Sequence, residues 1–215
     1  MKKLSYFIFI LLVSFLGIIV CVFEYQGNQQ TDYKNTVLNC EQYVKWTESN
    51  DNDLRVTRVM NGFDFSLQYL PASYMLSKQV VRNQGSGESL TVGDYDGIHF
   101  FNFRIKKESG TGEVLRNDLG SLEEYKSRVE YYAFDFKDDV FLVQGNDTVY
   151  CEMSHFERAY DATPFCNIMI GFPSKEIKDD EDCTIVVHEK IFDRGILKFR
   201  FMKNTFNSIP KLATL

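Results

Sequence analysis

The histidines are the first candidates for chemistry, because the chain has only three of them, His99, His155 and His188. All three fall in segments that alternate like β-strands, and no H-x-x-x-H or C-x-x-C pair supplies the ligand spacing of a zinc site. His155 and Glu157 are two residues apart, so on a strand they project from the same face. This pair is the candidate polar site, for a metal or for acid–base chemistry. The alternative is an ordinary polar pair on a solvated face.

The cysteines are the second candidates. Four of the five follow the apolar N-terminal run, namely Cys40, Cys151, Cys166 and Cys183. An even number of cysteines in an exported domain permits two disulfides, and four cysteines allow three pairings. We favour a bond among the last three, which are close in sequence and fall on or beside predicted strands. Free buried thiols are the alternative, because a domain of this size does not need disulfide bonds to be stable.

Aromatic residues raise the question of carbohydrate binding, because the chain has 19 Phe, 12 Tyr and 1 Trp. Trp46 is a candidate for a surface on which sugars stack, and a glycan-binding test would use Trp46→Ala or Tyr95→Ala. The tyrosines that could join such a surface are Tyr69, Tyr74, Tyr131, Tyr132, Tyr150 and Tyr160. The alternation of the aromatic residues favours core positions and cross-strand pairs for most of them. A carbohydrate module is therefore an alternative function and not the first hypothesis.

Other chemistry receives little support from the sequence. Acidic runs at residues 94–97 and 179–182 offer oxygen ligands for calcium, but neither has the D-x-D-x-D-G order of a calcium loop. Solvated acidic turns are the simpler interpretation. The chain also lacks a G-x-S-x-G elbow and a glycine-rich phosphate loop. We therefore expect no catalytic residues, metal or cofactor.

The elements that position these residues are mostly strands. Residues 54–60, 63–69, 99–105, 140–143, 148–156, 165–172, 184–188 and 196–201 show the alternation or apolar runs of β-structure, with turn residues between them. Residues 132–136 also alternate, which predicts a further strand. Helices are predicted over residues 33–46, from Ala72 after Pro71, and from Ser121, where capping-box spacing occurs. Strands at this spacing predict an antiparallel β-sandwich or barrel-like domain with two or three accessory helices.

The first 23 residues predict where this domain works. Lys2 and Lys3 precede an uncharged apolar run over residues 4–23, which is about the length that spans a bilayer. Positive charge stays on the cytoplasmic side, so the body of the chain should be extracytoplasmic, in the periplasm or at the cell surface. An uncleaved signal anchor is the first interpretation. Lipidation at Cys21 is less favoured, because Val20 replaces the small residue of a lipobox, and simple cleavage is the third.

The domain organisation follows from this segment. Residues 1–23 are the signal-anchor or signal segment, residues 24–32 are a polar tether, and residues 33–215 are one β-rich domain. After residue 23 the chain carries 30 acidic and 22 basic residues, for a net charge of −8. This charge argues against nucleic-acid binding through counterion release.

Three motifs resemble uncharacterised membrane-anchored or secreted envelope proteins of Bacteroides-like bacteria. They are FSLQYLPASY at residues 65–74, YCEMSHFERAY at 150–160 and ILKFRFMKNTFNSIPKL at 196–212. The resemblance implies a location in the cell envelope and no catalytic residues. We hypothesise a membrane-tethered, non-enzymatic domain that contacts another envelope protein. A carbohydrate-binding or carbohydrate-processing module is the alternative, with carbohydrate as its partner.

Overall fold

The described residues form a mainly β fold, as the alternation of the strands predicts, with two antiparallel sheets and four α-helices. The computed structural model describes residues 33–82, 91–109, 112–158, 160, 162–178 and 180–214. The predicted N-terminal segment over residues 1–23 and the tether over residues 24–32 lie outside these ranges. Within them, no helix is long and apolar enough to cross a membrane.

Eleven strands are present in the described residues. They are β1 (Val37–Leu38), β2 (Arg55–Met60), β3 (Phe63–Leu70), β4 (Ile98–Lys107), β5 (Val140–Gln144), β6 (Asp147–Tyr150), β7 (Met153–Glu157), β8 (Phe165–Pro173), β9 (Cys183–Glu189), β10 (Gly195–Phe201) and β11 (Lys211–Leu212). The first large sheet has the order β2-β3-β4-β8-β7 and the second has the order β10-β9-β5-β6. A small third sheet pairs β1 with β11 in parallel.

The described α-helices are α1 (Cys40–Glu48), α2 (Ala72–Arg82), α3 (Leu122–Glu130) and α4 (Lys203–Asn207). Two begin where the sequence predicts: α2 follows Pro71, and α3 follows Ser121, whose hydroxyl accepts a hydrogen bond from the backbone N–H of Glu124. Helix α1 begins later than predicted. Asn39 and Gln42 form a reciprocal capping box there, which stops the helix from extending back to residue 33. The short helix α4 has no counterpart among the predicted elements.

The predicted strand over residues 132–136 is wrong. Residues Tyr131–Asp135 form a π-helical turn and residues Phe136–Asp139 a 3₁₀ turn, which together extend α3. Tyr132 and Phe136 are both 1% exposed, whereas Phe134 between them is 72% exposed. Buried positions four residues apart suit a helix, and the same aromatic residues also satisfy an alternating pattern. Alternation alone therefore could not distinguish the two structures.

The predicted strand over residues 148–156 is two strands. Strand β6 ends at Tyr150 and belongs to the second sheet, whereas β7 begins at Met153 and belongs to the first. Cys151 and Glu152 carry the chain from one sheet to the other. The N–H of Glu152 donates to the carbonyl of Gly171 in β8, so the crossing is already tied to the first sheet.

The core lies between the two large sheets. One register row on the inner face of the first sheet joins apolar residues of all five strands, Val56, Leu67, Phe103, Ile168 and Phe156. The ring of Phe103 packs edge-on against Phe199 of the second sheet, with ring centroids 6.0 Å apart. At one edge, Nε of Arg58 in β2 donates to the carbonyl of Lys198 in β10, 3.0 Å away, which links the two sheets.

The outer face of the first sheet is divided into two parts. At one end, α1 and α2 cover a second apolar cluster, in which Tyr43, Leu70, Tyr74 and Phe100 are buried. At the other end the face carries polar side chains that no helix covers completely. The boundary between these two parts is where the candidate site lies.

Candidate functional site

Polar side chains form two register rows across the outer face of the first sheet. One row consists of Thr57, Ser66, Arg104, Asn167 and Glu157. The next row consists of Arg55, Gln68, Asn102, Met169 and His155. Neighbouring strands lie about 4.8 Å apart, so each row extends roughly 19 Å across the sheet. Nine of the ten side chains in the two rows are polar, and they come from five separate strands.

These rows form the floor of a groove of about 520 Å³, which we call the polar groove. Its floor includes Arg55, Gln68, Asn102, Arg104, Asn167 and Glu157, and its wall includes Glu48, Tyr74 and Lys78 from α1 and α2. A second hollow of about 430 Å³ adjoins it, and both are lined by Arg55 and Arg104. The two hollows together make a trough along the sheet, with the two arginines at their junction.

Arg55 is held by two neutral acceptors. Its guanidinium donates to Oδ1 of Asn50 at 3.0 Å and to Oε1 of Gln68 at 2.6 Å. Gln68 is itself 6% exposed, and its Nε2 donates to the carbonyl of Thr47 at 2.5 Å. Because Gln68 is fixed at both ends of its amide, it anchors the guanidinium from below and ties β3 to the end of α1.

Arg104 is held in the same manner. Its Nε donates to Oδ1 of Asn167 at 2.8 Å, and its guanidinium lies 4.3 Å from the centroid of the Phe165 ring. Nδ2 of Asn167 in turn donates to Oε2 of Glu157 at 3.1 Å. Burial lowers the pKa of Arg104 from its ordinary value, and the neighbouring Arg55 lowers it further. Both side chains line the same two hollows, so their positive charges lie near each other.

The wall of the polar groove carries a hydrogen-bonded set of three side chains. The hydroxyl of Tyr74 donates to Oε1 of Glu48 at 2.9 Å and accepts from Nζ of Lys78 at 3.0 Å. Burial raises the pKa of Tyr74 from its ordinary value. Burial alone would lower the pKa of Lys78, but the bond to Tyr74 and the charges of Glu48 and Glu157 outweigh it and raise that pKa. Tyr74 therefore remains a neutral phenol that is hydrogen-bonded to both Glu48 and Lys78.

The predicted pair, His155 and Glu157, lies on β7 at the edge of this face. Both side chains are exposed, and Glu157 lines the polar groove. His155 is opposite Met169 and Glu157 is opposite Asn167, so the two occupy adjacent polar rows. In the described part of the chain, no group of three or more His, Cys, Asp or Glu side chains is placed to hold a metal ion.

The cysteines lie away from the polar groove. Cys40, Cys151, Cys166 and Cys183 are all buried free thiols in the structure, which is the alternative to the favoured disulfide. Burial raises the pKa of Cys151 to about 11 and that of Cys183 to about 12. These thiols are protonated and inert at neutral pH, because the thiolate is the reactive form.

All the aromatic candidates except Tyr74 also lie outside the polar groove. Trp46 packs edge-on against Tyr43 and Tyr33, with ring centroids 5.6 Å and 5.5 Å away. Tyr95 packs against the apolar cluster under the helices. Of the aromatic residues, only Tyr74 lines the polar groove among the described residues, so the groove offers no broad plane on which a sugar ring could stack.

Sequence reasoning missed most of the floor. Arg55, Gln68, Asn102, Arg104 and Asn167 look in sequence like the solvated half of alternating strands. The signal that separates them from ordinary surface residues is their register, which places them side by side on strands far apart in the chain. Register is a property of the folded sheet, and a single sequence does not contain it.

Comparisons with known proteins leave the chain without a family. No family model matches it, and no curated protein matches it. Among solved structures it is similar to the crystal structure of a DUF4426 family protein from Pseudomonas aeruginosa PAO1, with 12% identity over 69% of this chain and 91% of that chain and a TM-score of 0.32. A likeness at this level is too slight to carry an inference about function.

Proposed function

We propose that this chain is a non-enzymatic binding domain that is tethered to a membrane through residues 4–23 and contacts another envelope protein through the polar groove. One observation carries the proposal: nine polar side chains occupy two register rows across five strands, with Met169 as the single apolar member, and several are held by hydrogen bonds to one another. Loose surface side chains would not need such support. A preorganised polar surface loses less side-chain entropy when a partner binds.

The shape of the face supports a partner that is a chain segment. The polar groove continues into the second hollow, so the trough follows the sheet instead of closing around a small molecule. Its amide side chains offer donors and acceptors like those of a peptide backbone. Asn102 and Asn167 supply such groups at the centre of the floor. The two sheets enclosing one core are also consistent with a β-sandwich, a scaffold whose outer faces are free to bind.

Photo-cross-linking in the cells that make the protein tests this proposal. A photoreactive amino acid at Asn102, on the floor, should give a discrete adduct with one envelope protein. The same amino acid at Lys198, exposed on the outer face of the second sheet, is the matched control and should not. Equal adducts from both positions, or none from Asn102, would contradict the proposal.

A further inference from the structure

The polar groove contains two guanidinium groups that form no ion pair with a carboxylate of the described residues. Arg55 and Arg104 lie on strands separated by β3, and both line the polar groove and the adjoining hollow. No ion pair joins either group to an acidic residue in the described part of the chain. The acceptors that hold them are the amide oxygens of Asn50, Gln68 and Asn167.

This choice of acceptors is informative in so acidic a protein. The chain carries 30 acidic residues and a net charge of −6, so carboxylates are plentiful. A neutral amide orients a guanidinium without cancelling its charge, whereas a carboxylate would do both. Each arginine therefore keeps its full charge and has N–H donors that remain available. An oxyanion matches such donors in both charge and geometry, because a guanidinium binds two oxygens through parallel hydrogen bonds.

The rest of the polar groove limits what can carry that oxyanion. Glu48 and Glu157 lie toward the wall and the β7 edge, where they would repel a second negative group. Asn102 lies between these groups. Its side-chain Nδ2 makes one long hydrogen bond of 3.4 Å to Oδ1 of Asn167, and its side-chain Oδ1 has no hydrogen-bond partner among the described residues. A ligand with a single carboxylate beside neutral amide groups fits this distribution of charge along the polar groove. That arrangement is found in a peptide segment with an aspartate or glutamate side chain.

We propose that the polar groove binds a segment of a partner protein that carries one acidic side chain, whose carboxylate is held between Arg55 and Arg104. The inference rests on the proposed function and deepens it by naming the group that is recognised. A peptide is favoured over an acidic sugar because Tyr74 is the only candidate for sugar stacking that lines the polar groove among the described residues. An acidic sugar is therefore one of the alternative outcomes of the test.

Protection from phenylglyoxal, which modifies arginine, tests the inference on the full chain in detergent. Modification of Arg55 and Arg104 is followed by peptide mass spectrometry with four probes: N-acetyl-aspartate amide, N-acetyl-asparagine amide, glucuronate and glucose. We expect the aspartate probe to protect both arginines and the asparagine probe, which lacks only the charge, to protect neither. Arg200, which pairs with Asp182 at 2.8 Å on the other sheet, should be unaffected by any probe.

Variants test whether the protection of one arginine in the polar groove depends on the other arginine. Arg104→Gln should weaken the protection of Arg55 by the aspartate probe by at least about tenfold, because one charge-assisted bond to the carboxylate is lost. Arg200→Gln removes an equal charge and should leave the protection unchanged. If Arg104→Gln fails to fold, Arg55→Gln gives the same test with Arg104 as the reporter.

Each contrary outcome has its own meaning. Equal protection by the aspartate and asparagine probes would overturn the carboxylate inference. Protection by no probe would overturn it as well, and an adduct from Asn102 in the cross-linking experiment would still support the proposed function. Protection by glucuronate but not by the aspartate probe would overturn both proposals in favour of the carbohydrate alternative.

Discussion

Along the polar groove, the two faces of the first sheet differ completely although they are built from alternate residues of the same strands. Along β4, Phe103 is fully buried and packs between Phe65 and Phe199, whereas Asn102 and Arg104 on either side of it line the polar groove. On the inner face, contact is apolar and lacks direction. On the outer face, contact is made through hydrogen bonds whose partners are specific. The inner face therefore supplies stability, and the outer face supplies a surface of defined geometry.

Removal of a large inner side chain should have the largest effect. Phe103→Ala deletes a ring from the centre of the core, which should lower the free energy of unfolding by about 3–5 kcal/mol. Asn102→Ala, one residue away on the other face, should change it by less than about 1 kcal/mol. Urea denaturation of the two variants measures both values. Similar losses in the two would remove the distinction between the faces.

Gln68 is an exception on the outer face, because it is buried and bonded at both ends of its amide. Gln68→Leu leaves the carbonyl of Thr47 and the guanidinium of Arg55 without these partners, and we expect a loss of about 1–3 kcal/mol. Ser66→Ala, two residues away on the same face, is the control and should stay within about 0.5 kcal/mol. Urea denaturation again provides the measurement. A loss no larger than that of the control would show that the amide network contributes no stability.

Alkaline pH should affect the inner face through Cys166. Burial raises the pKa of this thiol above its ordinary value of 9.0, so the folded state keeps a proton that the unfolded state loses as pH rises. Stability from this group is therefore complete below pH 9 and declines above it, by roughly 1 kcal/mol between pH 9 and pH 10. Cys166→Val removes the ionisable group and should lose correspondingly less stability when urea midpoints at pH 8 and pH 10 are compared. Identical pH dependence in both proteins would contradict this assignment.

Sequence patterns predicted the inner face far better than the outer one. The alternation over residues 63–69 identified β3 and its buried side, and the turn residues before it are Asn61 and Gly62, which both have positive φ. These signals lie in the local sequence. Burial of one face of a strand produces a simple alternation of apolar and polar residues. Where two periods fit the same residues, as at Tyr132 and Phe136, the pattern was ambiguous and the prediction failed.

The polar groove could not be predicted in the same way. Of the candidate pair, Glu157 lines the polar groove and His155 lies in the adjacent row. Its centre depends on Arg104 meeting Asn167, which is 63 residues away. Nothing in the local sequence of either residue distinguishes it from an ordinary solvated residue. Only the pairing of β4 with β8 brings them together.

The small parallel pair of β1 and β11 has a consequence for the order of folding. The N–H of Lys211 donates to the carbonyl of Thr36, and the N–H of Ala213 donates to that of Leu38. Each of these two bonds joins residues 175 positions apart in the chain, so the pair carries a large entropic cost for little contact. The pair should form last and open first, and its amides should exchange with solvent deuterium long before those at the centre of β4. The domain would then begin to unfold at the β1–β11 pair, while the sheet that bears the polar groove stays intact.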